Sequence, residues 1–201
     1  MIIRSTRYKT YCRELALMDL YTLLYEAKNN SPAAQKYLYE QFSEKMYLLC
    51  RRYIKQDQTA EEVMMNGFLR IFRSLKNFAF VSEETSLAWM KRIMINECLR
   101  RLSIKSSYLQ IVETELPDIR VEESISAELT ARELYKYIDL LPDGYRTVFN
   151  LYVVEELSHE EIAYLLHISI RTSRSQLTKA RVMLKNIIIK NHKEYANWLQ
   201  K

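Results

Sequence analysis

Only two glycines and three prolines serve the 201 residues of this chain. Tight hairpins and phosphate-cradling loops lean on glycine, which takes positive φ without cost and lets backbone approach a ligand closely. Strand-dense sandwiches, Rossmann units and P-loops are therefore poor candidates, and a mostly helical fold is expected. An apolar fraction of 48% is enough to bury a core and argues against wholesale disorder. At roughly 100–200 residues per domain, the length allows one domain or two small ones.

The three cysteines, Cys12, Cys50 and Cys98, are far apart and form no CxxC pair. That spacing suits neither a disulfide framework nor a zinc ribbon, and fits reduced thiols used as small hydrophobes. His159, His167 and His192 share no ligand spacing, so no metal and no cofactor are expected. The first twenty residues carry Arg4, Arg7, Lys9, Arg13, Glu14 and Asp19, which rules out a continuous apolar signal core. No run of 18 apolar residues occurs, so no membrane insertion is expected and the chain is placed in the cytoplasm.

The net charge of +5 hides an uneven layout. Residues 111–130 hold one arginine against six acids, while residues 169–193 hold seven basic residues and no acid. An acidic connector beside a basic helix suggests two modules with a spacer, and concentrated positive charge is the footprint of a polyanion binder.

Periodicity supplies the elements. Ser31-Pro32 reads as a helix start, a capping hydroxyl followed by proline. Leu38, Phe42, Met46, Leu49 and Tyr53 then mark one helical face to about residue 55. Thr59 is expected to cap a second helix with Glu61 and Glu62 in its first turn and an apolar face through Ala60, Val63, Met64, Phe68, Ile71 and Leu75. Residues 77–86 break the pattern. A third helix is built on Leu87, Met90, Ile93, Met94 and Leu102, and residues 15–27 supply one more. Residues 106–126 contain Pro117, are acidic and lack a period, which reads as a linker. Beyond it, residues 129–140, 142–154, 158–166 and 170 to about 189 read as four helices, the second of them opening on Pro142.

Residues 158–181 read SHEEIAYLLHISIRTSRSQLTKAR. Ser158 and Glu161 have capping-box spacing, Ile162, Ala163 and Leu166 form an apolar face, His167-Ile168 makes a tight connection, and Ser169 can cap the next helix. This is helix-turn-helix grammar. On the second helix Ser173, Leu177, Ala180 and Leu184 form a small packable stripe, while Arg174, Thr178, Arg181 and Lys185 repeat the same offsets on another face. A helix in the major groove needs this division: guanidinium and hydroxyl donors toward phosphates and base edges, small residues toward the scaffold. The paired carboxylates Glu155-Glu156 and Glu160-Glu161 read as partners of the scaffold helix's N-terminal dipole, and no catalytic constellation is found, so the chain is not expected to be an enzyme.

Residues 141–181, LPDGYRTVFNLYVVEELSHEEIAYLLHISIRTSRSQLTKAR, resemble the C-terminal DNA-binding region of an extracytoplasmic-function sigma factor, whose pattern runs LPxxxRxVFxL, SxxEIAxxLxIS and TxxSxxxxAR. Residues 38–42 (LYEQF), 60–63 (AEEV) with Phe68, and Trp89-Met90 with Ile93 and Asn96 are similar to the family's other conserved region. The resemblance implies an all-α fold of two small helical domains joined by a flexible acidic linker, the C-terminal one a helix-turn-helix. The expected boundaries are 1–29 for an N-terminal extension and first helix, 30–105 for sigma region two, 106–127 for the linker, 128–190 for sigma region four, and 191–201 for a tail.

Such a protein binds core RNA polymerase and directs it to promoter DNA, usually under an anti-sigma partner. By resemblance, Arg171, Thr172, Arg174, Ser175, Thr178, Lys179 and Arg181 belong to the helix that reads the minus-thirty-five element. Phe78, Phe80, Arg92, Asn96, Arg100 and Arg101 belong to the minus-ten side, and Glu61, Glu62, Met65 and Asn66 to the polymerase clamp. The chain departs from the family where Met65 and Asn66 replace a glutamine and an acid, and where Arg100 replaces an aspartate. Core packing is the expected role of Val63, Phe68 and Trp89. Two other readings stay open: a stand-alone helix-turn-helix regulator, and an interaction protein that binds polymerase without reading a promoter.

Overall fold

A computed structural model describes residues 19–105 and 131–191. All regular structure among the described residues is helical. The chain divides into two compact units between Arg101 and Leu102.

The first unit holds α1 (Leu20–Lys28), α2 (Pro32–Tyr53), α3 (Asp57–Ser74), a single 3-10 turn (Leu75–Asn77) and all but the last four residues of α4 (Glu83–Lys105). Asp19 caps α1, its carboxylate accepting from the Thr22 amide at 2.8 Å. Ser31 caps α2 with Pro32 in its first turn, as the sequence predicts. The start of α3 differs from expectation. The helix begins at Asp57 after Gln56, and Thr59 lies inside it, buried, with its hydroxyl donating to Gln56 Oε1 at 2.9 Å. Asp57 supplies the first-turn charge that favours the helix dipole.

α1 packs on α2, and α2 on α3. The predicted faces point inward: Leu38, Phe42, Met46, Leu49 and Tyr53 of α2, and Ala60, Val63, Met64, Phe68 and Ile71 of α3, are all buried. On α4, Met90, Met94 and Leu102 are buried as expected, whereas Leu87 and Ile93 are half-buried and Ile95 and Leu99 are buried instead. Gly67 of α3 leaves the space that Sδ and Cε of the fully buried Met94 of α4 occupy, since a Cβ there would overlap them.

The second unit holds α5 (Ala131–Leu140), α6 (Asp143–Phe149), one π-helical turn (Asn150–Val154), α7 (His159–Leu166) and α8 (Ile170–Asn191). Helices α5, α6 and α7 all pack against α8. Pro142 sits just outside α6 rather than in it, and the predicted 142–154 helix is an α-helix that widens into a π turn after Phe149. Arg146 is fully buried at the base of α6, where its guanidinium donates to the Leu141 carbonyl at 3.3 Å and to Asp143 Oδ1 at 2.8 Å.

With glycine so scarce, other residues take the left-handed conformations that end helices and turn the chain: Asn30, Glu156 and His167 have φ of 59°, 57° and 54°, and neither glycine has positive φ. Glu155 and Glu156 therefore belong to the turn after the π-helical segment, not to the start of α7, and only Glu160 and Glu161 lie in its first turn. The expected linker at 106–127 and the tail beyond 191 lie outside the described residues, as does Cys12.

Candidate nucleic-acid interface

The α7–α8 pair is assembled by local hydrogen bonds that the sequence specifies. Ser158 Oγ accepts from the Glu161 amide at 3.2 Å while Glu161 Oε2 accepts from the Ser158 amide at 2.8 Å, a closed capping box. His167 closes α7 in the left-handed conformation, and the Ile168 amide reaches back to the Ala163 carbonyl at 3.1 Å. Ser169 Oγ then accepts from the Thr172 amide at 2.9 Å at the start of α8.

α8 divides as its spacing predicts. Ser173, Leu177, Ala180 and Leu184 are buried, while Arg171, Arg174, Ser175, Thr178 and Arg181 are exposed. Thr172 is half-buried, its hydroxyl 2.8 Å from Ser169 Oγ, and Lys179 and Lys185 are half-buried at the margin. A row of cationic and hydroxyl groups on one side of a helix whose other side is locked to a scaffold is the geometry that groove binding requires.

Two contacts on this face come from outside α8, and a third reaches its buried side. Arg174 Nη2 lies 3.9 Å from Glu160 Oε1, so an acid from α7 approaches the acid-free helix. Arg181 stands over the ring of Tyr152, its Cζ 5.8 Å from the centroid. Tyr152 in turn stacks on His159 at 4.6 Å, and His159 Nδ1 shares a 2.9 Å hydrogen bond with Ser173 Oγ. Burial, reinforced by the Arg174 charge, holds the His159 imidazole below its ordinary pKa. Pairwise spacing along the chain carries no signal for such contacts, because their partners lie on separate elements.

In the first unit, Glu61, Glu62, Met65 and Asn66 are all exposed on α3, and Leu69 extends their stripe. Val63 and Phe68 point the other way, Phe68 meeting Tyr39 edge-on at 4.9 Å. Arg92, Asn96 and Arg100 recur at four-residue intervals on α4 and are exposed together. Arg100 is not a free cation: its Nη2 lies 2.6 Å from Glu97, a carboxylate only 3% exposed that also pairs with Arg70 Nε of α3. Arg101 pairs with Glu62 at 3.7 Å, which joins one expected minus-ten residue to one expected clamp residue.

The break between α3 and α4 presents its two aromatics differently. Phe78 stacks on Trp89 at 4.1 Å, with its carbonyl accepting from Lys28 Nζ at 3.3 Å. Phe80 meets Tyr21 of α1 edge-on at 4.7 Å. Both are half-buried, and Trp89, expected in the core, is half-buried as well because it covers Phe78 at the surface. Cys50 and Cys98 are fully buried free thiols, and the neighbouring Cys50 and burial together push the Cys98 thiol far up. Among the described residues no three His, Cys, Asp or Glu side chains cluster as metal ligands, and no helix is long and apolar enough to cross a membrane.

Comparison with known proteins matches the two units separately. Residues 38–107 match the family described as Sigma-70 region 2, and residues 131–184 match Sigma-70, region 4. The ECF RNA polymerase sigma factor SigE of Mycolicibacterium smegmatis is 27% identical over 183 residues, covering 87% of this chain and 70% of its own length. The ECF RNA polymerase sigma factor SigW of Bacillus subtilis is 28% identical over 161 residues, 72% of this chain and 83% of the relative. The chain belongs to the extracytoplasmic-function sigma factors. The region 4 match ends at residue 184, so it takes in the helix-turn-helix and the exposed face of α8. This sigma factor is also similar to a solved structure of the sigma factor RpoE in complex with the anti-sigma factor NepR from Bartonella quintana. That likeness has 16% identity, covers 76% of this chain and 95% of the other, and has a TM-score of 0.47.

Proposed function

We propose that this sigma factor binds core RNA polymerase, reads the minus-thirty-five element with α8, opens the minus-ten element with the first unit, and so initiates transcription. The observation that carries the proposal is the exposed row Arg171, Arg174, Ser175, Thr178 and Arg181, set on a helix whose buried stripe rests on its scaffold. Its occurrence in one chain with a region 2 unit disfavours a stand-alone regulator.

Arginines at this face supply both phosphate attraction and bidentate base contacts, while Ser175 and Thr178 add neutral donors. Opening DNA costs a few kcal/mol per unstacked base, and a stacking surface returns about 1–3 kcal/mol per base. Phe80, half-exposed beside Tyr21, and the cations Arg92 and Arg100 on α4 are the groups proposed to collect that return, with Asn96 between them as the polar contact. Arg101 and Phe78 complete the minus-ten set as supports. The stripe of Glu61, Glu62, Met65 and Asn66 is proposed to meet the polymerase clamp, with the two apolar or neutral positions replacing part of a polar contact by burial. The protein acts in the cytoplasm with its polymerase, needs no catalytic chemistry of its own, and is proposed to take an anti-sigma partner.

The test mixes the purified chain with core polymerase and a randomised promoter library. Transcription that requires both components and enriches a bipartite sequence is expected. Tight duplex binding without polymerase would overturn the proposal in favour of a stand-alone regulator, and polymerase binding without initiation would reduce the chain to an interaction protein.

A further inference from the structure

Tyr152 belongs to none of the motif blocks, yet it touches the exposed face of α8 from outside. It lies in the π-helical turn Asn150–Val154, and such a turn re-aims the side chains it carries relative to a continuous α-helix. One side of its ring faces His159, 4.6 Å away and inclined by 26°, and Arg181 also lies over the ring. His159 is fixed by the hydrogen bond between its Nδ1 and Ser173 Oγ, and Ser173 is fully buried. The ring stack thus holds α8 at two places about two turns apart, once on its buried face at Ser173 and once on its exposed face at Arg181.

An arginine free in solution samples many rotamers, and binding must freeze them. An aromatic face beside the guanidinium removes part of that cost in advance, and a guanidinium stacked on a ring keeps its edge N–H groups free to donate. We propose that Tyr152 is a positioning residue for promoter reading, presetting Arg181 toward DNA while His159 holds the ring in place. This rests on the reading of α8 as the minus-thirty-five helix.

The test uses holoenzyme reconstituted from the full chain, and a duplex carrying the minus-thirty-five sequence that holoenzyme itself selects. Tyr152→Leu is expected to weaken binding by about threefold to tenfold. Tyr152→Phe, which keeps the ring face, should bind as the parent does. In an Arg181→Ala background, Tyr152→Leu should cost nothing further. A loss that simply adds to that of Arg181→Ala would mean that Tyr152 acts through folding, and would overturn the proposal. So would a Phe variant as weak as the Leu variant. If Arg181→Ala is itself silent, Arg181 is not a DNA contact and the proposal falls, while Arg174→Ala still reports whether α8 reads promoter DNA at all.

Discussion

Glu97 of α4, only 3% exposed, accepts from Arg100 Nη2 at 2.6 Å and takes Arg70 of α3 on its other oxygen. The buried carboxylate is thereby compensated by two cations that are each about half-exposed. Removing both cations strands the charge. For a buried pair the loss of a partner costs about 3–5 kcal/mol, and water reaching this site from the exposed side lowers that toward about 1–3 kcal/mol. Arg70→Ala with Arg100→Ala is therefore expected to lower the urea midpoint of the first unit. Adding Glu97→Leu should restore much of it, and no restoration would show that the arginines stabilise through packing alone.

Arg146 is the largest fully buried side chain among the described residues of the second unit. Its guanidinium is wholly buried and ties the Leu141 carbonyl to Asp143 at the start of α6. Arg146→Ala leaves a large cavity and an unmet carbonyl, a loss of about 2–5 kcal/mol by the scale of buried truncations. Arg146→Lys should rescue little, because a single ammonium cannot reproduce the planar fork. Loss of the cooperative thermal transition assigned to this unit is the expected readout.

His159 gives the second unit a pH dependence of known sign. Its pKa is lowered in the folded state by burial and by the Arg174 charge, so the unfolded chain binds the proton more readily. Stability is therefore retained above the ordinary histidine range and lost as pH falls through about 6.5 and below. Thermal midpoints measured between pH 7.5 and 5 should fall less for His159→Gln than for the parent. Parallel curves would remove His159 as the cause.

On the proposed reading Arg174 exchanges its pairing with Glu160 for DNA, and the magnitudes permit it. An ion pair at 3.9 Å between two exposed side chains contributes about 0–1 kcal/mol, against about 1–3 kcal/mol for a good bidentate base contact. Arg174→Ala should relax choice at one base of the minus-thirty-five element, and Glu160→Ala should change affinity by less than about 1 kcal/mol. Equal weakening on every sequence would make Arg174 a phosphate contact instead.

Phe78 and Phe80 should separate by phenotype. Phe78 is committed to Trp89 in a 4.1 Å stack, so Phe78→Ala is expected to lower stability. Phe80 has one edge contact with Tyr21, worth about 0.5–1.5 kcal/mol, less than a stacked base can return. Phe80→Ala should spare closed-complex formation and slow strand opening. Permanganate reactivity of promoter thymines is the measurement, and an unchanged pattern would leave Phe80 as packing only.

Where interactions are local, residue order is enough. The Ser31, Ser158 and Ser169 caps each bond an amide three residues on, and the two faces of α8 arise from a 3.6-residue period whatever surrounds the helix. Scarcity of glycine points to helices, although it does not reveal that Asn30, Glu156 and His167 take over the left-handed turns. The start of α3 escapes the sequence pattern because Thr59 looks like a cap by type, while the chain enters the helix at Asp57 and buries the threonine.

Sequence alone thus determined an all-helical chain, the helix-turn-helix and the cationic row on α8, because each arises from neighbours within one or two turns. Tertiary structure alone decided that Glu97 gathers Arg70 and Arg100, that Trp89 shields Phe78 at the surface, and that Tyr152 and His159 reach Arg181 and Ser173 of α8. These contacts join elements whose mutual placement depends on how side-chain volumes fill the core, as at Gly67 against Met94, and no period along the chain encodes that fit.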